Sequence, residues 1–100
     1  MVKNITAADF DATVASGDVL VDFWATWCGP CMMMGERIEA ELVPQLPNLT
    51  VAKVNVDECP ELAAKFGIMS IPALMCYRGG KKVKEFVGVT AIDELKAVFA

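Results

Sequence analysis

Two cysteines, Cys28 and Cys31, stand close together in the segment WATWCGPC, with only Gly29 and Pro30 between them. Such a pair could form a structural disulfide, supply half of a zinc site, or work as a redox-active dithiol. A disulfide that closes so short a loop removes little entropy from the unfolded chain, so it would stabilise the fold poorly. The spacing therefore favours a chemical role over a structural one.

The zinc alternative lacks its other ligands. The chain contains no histidine, and its two remaining cysteines, Cys59 and Cys76, stand singly rather than as a second pair. Structural zinc sites usually take paired ligands from tight turns. We therefore expect no metal site.

The segments on either side of the pair suit redox chemistry. The apolar run VLVDFWA (19–25) predicts a strand buried on both faces. A helix from about Cys31 would place Cys28 at its N-terminus, where free N–H groups and the helix dipole favour a thiolate. Cys28 would then attack, and Cys31 would resolve the mixed disulfide. Pro30 presets φ for the first turn, and Gly29 leaves the approach open.

Asp22 is the one carboxylate inside the apolar run. Strand alternation places it on the same face as Leu20 and Trp24, which indicates that it is buried. Burial disfavours the charged form, so we expect the pKa of Asp22 to be raised. At neutral pH it could then accept the proton of Cys31.

Helix and strand signals alternate along the rest of the chain. Thr6 and Asp9 predict a capping box for a first helix, and Thr90 and Asp93 predict one for the last helix. The order βαβα followed by ββα indicates an α/β fold, with a central mixed sheet flanked by helices on both faces. The other predicted elements are a helix with Met34, Ile38 and Leu42 on one face that ends before Pro44, a strand over 49–57, a helix from Pro60 to Phe66, and the strands PALMCY and KVKEFV joined by the turn RGGK.

Length and composition limit the number of domains and the kinds of partner that the protein could bind. The 100 residues are predicted to form a single domain, 1–100, and 55% hydrophobic residues are typical of a folded globule. The net charge of -4 argues against a basic surface for nucleic acid or for an anionic membrane. No segment resembles a membrane span or a signal peptide. Four cysteines without a secretory signal indicate a reducing compartment, which we expect to be the cytoplasm.

Four segments in sequence order resemble the thioredoxin family: VDFWATWCGPC, LTVAKVNVDE, GIMSIPA and FVGV. They are similar to its active-site turn, its central strand, its cis-proline loop and the glycine near its substrate groove. The resemblance covers almost the whole chain, and Gly-Pro between the cysteines is similar to the reducing members. It implies a thioredoxin fold and a protein-disulfide reductase without a bound cofactor. The implied partners are disulfide-containing protein substrates and a separate thioredoxin reductase, and we expect a monomer.

The resemblance also implies roles for individual residues. Cys28 would be the nucleophile, Cys31 the resolving thiol, Asp22 the buried acid and Pro72 the cis-proline beside the disulfide. Ile71 would pair its backbone with an extended substrate strand. Gly29, Pro30 and Lys53 would tune the redox chemistry, with Lys53 near the buried acid. The apolar docking surface would comprise Trp27, Gly29, Pro30, Ile71 and Gly88.

Some of these assignments have alternatives in the sequence. Most X-Pro bonds are trans, so only the resemblance favours a cis bond at Pro72. Lys53 could lie on a solvated strand edge. Trp24 is expected in the core, whereas Trp27 in the turn is expected to be exposed. A binding module could use the same apolar surface without turnover, although it would need neither the dithiol nor Asp22.

Two positions depart from the family pattern. Met32 stands where the family commonly has Lys or Arg, and Glu36 stands where most members have a helix-kinking proline. These changes leave open the redox potential and the electron donor, either a nicotinamide-dependent flavoprotein or a ferredoxin-linked enzyme. Cys76 is expected to be a buried small hydrophobe, and Cys59 is the better candidate for a secondary oxidisable thiol.

Overall fold

The computed structural model describes residues 1–100 as five strands and four α-helices. The strands are β1 (Val2–Asn4), β2 (Asp18–Trp24), β3 (Thr50–Asn55), β4 (Ala73–Arg78) and β5 (Lys81–Val87). The helices are α1 (Ala7–Val14), α2 (Gly29–Arg37), α3 (Pro60–Lys65) and α4 (Ile92–Phe99). After α2 the chain continues through a π-helical turn, Ile38–Leu42, and a 3-10 turn, Val43–Gln45.

The strands form one mixed sheet in the order β1-β3-β2-β4-β5. Strand β3 runs parallel to β1 and β2, whereas β4 runs antiparallel to β2 and β5. Strand β2 therefore lies at the centre of the sheet, and its residues from Val19 to Phe23 are all buried. The buried strand predicted from VLVDFWA is confirmed.

Two apolar layers cover the two faces of the sheet, so the predicted fold class is confirmed. Because side chains alternate along β2, Val21 and Phe23 enter one layer and Leu20 enters the other. The first layer includes Phe10 and Val14 of α1 and Leu62 of α3. The second is built from the predicted helix face, Met34, Ile38 and Leu42, together with Leu95 and Phe99 of α4.

Two local features differ from the sequence prediction. Strand β1 pairs with β3 at Val2–Asn4, where no strand is predicted because three residues carry too little periodicity. The long helix begins at Gly29 rather than at Cys31, and its α-helical part ends at Arg37. The chain then passes Pro44 in the 3-10 turn instead of ending before it. Proline lacks the N–H that would bond to the residue four positions earlier, so an α-helix cannot continue unchanged there.

Of the two predicted capping boxes, the first is confirmed and the second is wrong. The Thr6 N–H donates to the Asp9 carboxylate at 3.4 Å. Helix α4, in contrast, has Ala91 as its N-cap and no side-chain cap. Thr90 is buried, and its hydroxyl donates to the Gly88 carbonyl at 3.1 Å. The hydroxyl is thereby turned away from the start of α4.

Candidate active site

The two cysteines of the pair lie where the chain passes from the central strand into α2. Cys28 is the N-cap of α2, and its Sγ accepts a hydrogen bond from the backbone N–H of Cys31 at 3.2 Å. The two sulfur atoms form a disulfide, with Cα atoms 5.2 Å apart. An N–H directed at a sulfur stabilises negative charge on it, so this geometry suits a thiolate at Cys28 after reduction.

The two sulfur-bearing residues differ in access. Cys28 retains 6% of its surface and Cys31 retains 2%, so Cys28 is the more accessible residue of the pair. Cys28 is nevertheless less exposed than a free helix end, because Ala25, Val56 and Ile71 pack around the pair. Any molecule that reacts with the Cys28 sulfur must therefore fit closely around this turn.

The loop before β4 forms one side of the disulfide site. The Ile71–Pro72 peptide bond is cis, as the resemblance implies, and the Ile71 carbonyl oxygen lies 3.9 Å from Cys28 Sγ. Neither the N–H nor the carbonyl of Ile71 has a backbone hydrogen-bond partner. The Gly88 N–H donates to the Pro72 carbonyl at 2.8 Å. This bond joins the end of β5 to the loop, and it leaves the backbone of Ile71 open to a partner.

The two tryptophans occupy different environments: Trp27 is exposed, as predicted, whereas Trp24 was expected in the core and is only half-buried. Trp27 is 70% exposed, and its indole Nε1 donates to Asp57 Oδ2 at 2.8 Å. Trp24 is half-buried, and its indole nitrogen has no hydrogen-bond partner. Asp57 is a site residue that sequence reasoning missed. Its contact spans 30 residues, and the only signal was its place in the strand segment LTVAKVNVDE.

An apolar cavity of about 280 Å³ opens beside the exposed tryptophan. We call it the Trp27 cavity. It brings together two of the predicted docking residues, whereas Gly29 and Pro30 lie exposed in the first turn of α2 and Gly88 is joined to Pro72. Its lining residues are Trp27, Val56, Pro60, Ala63, Ile68, Met69 and Ile71.

Asp22 lies in the middle of β2, and the structure confirms its burial. The residue is 1% exposed, and neither carboxylate oxygen has a hydrogen-bond partner. Burial raises the pKa of Asp22 from 3.8 to about 6, although the positive charge of Lys53 opposes the rise. Asp22 therefore changes protonation state just below neutral pH.

Lys53 lies on the strand next to Asp22 and is its register partner. Because β3 is an inner strand, the alternative of a solvated strand edge is wrong. The Lys53 Nζ lies 4.6 Å from the centroid of the Trp24 ring, which is a cation–π distance. Gly35 of α2 lies on the other side of this ammonium: a Cβ added at Gly35 would be 3.5 Å from Lys53 Nζ. The ammonium is therefore held beside Trp24 and makes no ion pair with Asp22.

The other two cysteines are free thiols buried away from the surface. Cys76 is fully buried in β4, as predicted, and burial raises its pKa to about 11. Cys59 is the N-cap of α3 and is 2% exposed, so the structure does not favour an accessible thiol there. No group of three or more potential metal ligands is present, and no helix is long and apolar enough to cross a membrane.

A disulfide at the start of a helix, with one cysteine slightly more exposed than the other, can exchange with a disulfide of a partner protein. This chemistry on a five-stranded mixed sheet defines the class of thiol–disulfide oxidoreductases. The sequence profile of the Thioredoxin family matches residues 1–100. The chain belongs to the thioredoxin family.

Individual relatives agree with the family match. The chain is 47% identical over 99 residues to a thioredoxin from Alicyclobacillus acidocaldarius, covering 97% of this chain and 93% of that protein. It is 43% identical over 98 residues to a thioredoxin from Listeria monocytogenes, covering 98% and 95% of the two chains. A solved structure of Plasmodium falciparum thioredoxin superposes with a TM-score of 0.88 at 32% identity, covering 98% of this chain and 99% of that one. With the Cys28–Cys31 pair, these matches make the chain a protein-disulfide reductase.

Proposed function

We propose that the two cysteines act in a fixed order, with Cys28 attacking and Cys31 resolving. The Cys28 thiolate attacks one sulfur of a substrate disulfide, which breaks that bond and releases a substrate thiolate. Cys31 then loses its proton and attacks Cys28 Sγ, which releases the second substrate thiol and closes the Cys28–Cys31 disulfide. The observation that carries this order is the N-cap position of Cys28, where its sulfur accepts the Cys31 N–H. Of the two residues, Cys28 also keeps the larger exposed surface.

We propose that Asp22 accepts the proton from Cys31 during the second step. A carboxyl group with a pKa of about 6 is largely ionised at neutral pH and still basic enough to bind a proton. Its two oxygens have no hydrogen-bond partner that would compete for this role. Lys53 is proposed to tune the reaction through its charge, because its ammonium lowers the pKa that burial raises.

We propose that an extended segment of a substrate protein docks along the cis-proline loop. The unpaired N–H and carbonyl of Ile71 offer one strand-like pair of hydrogen bonds beside Cys28. An apolar side chain of the segment would enter the Trp27 cavity. Gly29 and Pro30 are exposed and leave the approach to Cys28 open to the substrate segment. The hydrogen bond from the Gly88 N–H to the Pro72 carbonyl holds the loop that contains Ile71.

The experiment that tests this function is reduction of insulin with dithiothreitol as the electron source. Wild-type protein should accelerate the reduction, and Cys28→Ser should abolish the acceleration. Cys59→Ala is the matched control, because it removes a thiol outside the pair and should keep the activity. Wild-type protein that binds insulin without accelerating its reduction would support the binding module instead.

We further propose that residues 1–100 act as one monomeric domain in the cytoplasm. The proposal rests on the exposed apolar turn, which must stay open to many partners, and on Cys59 and Cys76, which suit a reducing compartment. A separate reductase would return two electrons to the disulfide, so no bound cofactor is needed. Light scattering tests the monomer. Turnover with a nicotinamide-dependent flavoprotein, compared with a ferredoxin-linked reductase, identifies the electron donor.

A further inference from the structure

Met69 is the most exposed methionine of the protein and lies beside the disulfide site. It is 94% exposed, whereas Met34 and Met75 are buried at 0% and 1%. It lines the Trp27 cavity and also a second apolar cavity of about 310 Å³ that reaches Phe86 and Val87 of β5. One methionine residue therefore forms part of the wall of both apolar cavities.

We propose that Met69 is a site of reversible oxidation and that its sulfoxide weakens the docking of substrate proteins. The proposal rests on the function proposed above, since it concerns the access of substrate to that same site. The oxidant is a hydroperoxide such as hydrogen peroxide. The Met69 sulfur attacks one peroxide oxygen, the O–O bond breaks, and an S–O bond forms. The sulfur loses two electrons, and the proton of the transferred hydroxyl passes to the leaving hydroxide, so hydrogen peroxide is reduced to water.

The distribution of sulfur atoms makes Met69 the favoured target in the oxidised protein. Cys28 and Cys31 have no free thiol, because they form the disulfide, and the free thiols of Cys59 and Cys76 are buried. Among the other methionines, only Met1, Met32 and Met33 are exposed, at 70%, 46% and 39%. None of these three lines the Trp27 cavity or the second cavity.

The sulfoxide would change docking rather than disulfide chemistry. It converts an apolar side chain into a polar one, and an apolar substrate side chain entering the Trp27 cavity would have to displace water from the new oxygen. Met69 is not among the residues packed against the disulfide. We therefore expect a higher KM for protein substrates, with kcat little changed.

The test oxidises the disulfide form of the whole protein with hydrogen peroxide, removes the peroxide, and maps sulfoxides by peptide mass spectrometry. Met69 should be oxidised before any other methionine, with Met34 and Met75 unmodified. The KM for insulin should rise roughly fivefold, because the oxidised side chain no longer contributes all of its apolar burial to substrate binding. A methionine sulfoxide reductase should restore the original value.

Three variants test whether the rise in KM comes from oxidation of Met69. The KM of each variant is measured before and after treatment with peroxide. Met69→Leu should show no rise in KM, whereas Met32→Leu/Met33→Leu should respond as wild type does. Met69→Gln should raise KM without any oxidant. The proposal is overturned if Met69 stays unoxidised at a peroxide dose that oxidises Met32, if its sulfoxide leaves KM unchanged, or if Met69→Leu responds like wild type. Insulin reduction by the unoxidised protein tests the proposed function separately.

Discussion

Trp27 Nε1 donates a hydrogen bond of 2.8 Å to Asp57 Oδ2, and this bond fixes the most prominent exposed side chain at the disulfide site. The indole would otherwise rotate freely, because 70% of the residue is exposed to solvent. Asp57 follows directly after Val56, which packs against the disulfide. The bond therefore ties the turn that carries Cys28 to the segment after β3.

Asp57→Ala should weaken the docking of substrate proteins. Without this hydrogen bond the Trp27 ring is mobile in the free protein. Substrate binding must then order the ring, and the entropy lost in doing so weakens docking. A bond of this kind is worth about 1 kcal/mol, so KM for insulin should rise roughly fivefold. Asp57→Asn is the matched control, because its amide oxygen can still accept the indole N–H. Equal KM values for wild type and Asp57→Ala would show that the bond has no part in docking.

The order of the two cysteines can be tested by trapping. Cys31→Ser should accumulate a mixed disulfide between Cys28 and a substrate, because no second thiol is present to resolve it. Cys28→Ser should trap nothing, because Cys31 is 2% exposed. Mass spectrometry of the adducts distinguishes the two cases. An adduct on Cys31 in the Cys28→Ser protein would reverse the assignment.

Asp22 should make the stability of the protein depend on pH. Its folded pKa of about 6 lies above the value of 3.8 expected for the unfolded chain. Below pH 3.8 both states are protonated and the group has no effect. Between the two pKa values the unfolded state ionises first, so the fold loses stability as pH rises. Above pH 6 the full penalty, about 3 kcal/mol, is present.

Asp22→Asn removes this titration. Its free energy of unfolding relative to wild type should therefore be higher at pH 8 than at pH 4 by about 2 to 3 kcal/mol, measured by urea denaturation. Burial of the Asn amide in the variant changes its stability by the same amount at both pH values. The difference between pH 8 and pH 4 therefore reports only the titration of Asp22. The variant should also resolve mixed disulfides more slowly at neutral pH. A relative stability that is the same at both pH values would mean that Asp22 is ordinarily solvated.

The hairpin turn between β4 and β5 offers a matched pair of glycines. Gly79 and Gly80 both have positive φ, 60° and 86°, so alanine at either position costs about 1 to 2 kcal/mol in backbone strain. A Cβ on Gly79 would meet nothing within 4 Å, whereas one on Gly80 would lie 2.8 Å from the backbone oxygen of Ala15. Gly80→Ala should therefore lower the free energy of unfolding more than Gly79→Ala. Equal losses in urea denaturation would contradict this contact.

The sequence by itself determined those features that depend on near neighbours along the chain. The run VLVDFWA predicted a buried strand and a buried acid, and the structure confirms both at Val19–Phe23 and Asp22. The Cys28–Cys31 spacing after that strand predicted a reactive pair at a helix start, where Cys28 is now the N-cap. Strand alternation, helix periodicity and capping act over two to four residues, so a sequence displays them directly.

Only the tertiary structure decided which distant residues meet. Thr90 carried a capping signal, yet it is buried and its hydroxyl is bonded to Gly88, while α4 begins without a side-chain cap. Lys53 was expected near the acid or on a strand edge; it lies beside Asp22 on an inner strand, and its ammonium lies over Trp24. The bond from Trp27 to Asp57 had no local signal. Such contacts depend on how strands and helices pack together, and packing selects among partners that are equally compatible with the local sequence.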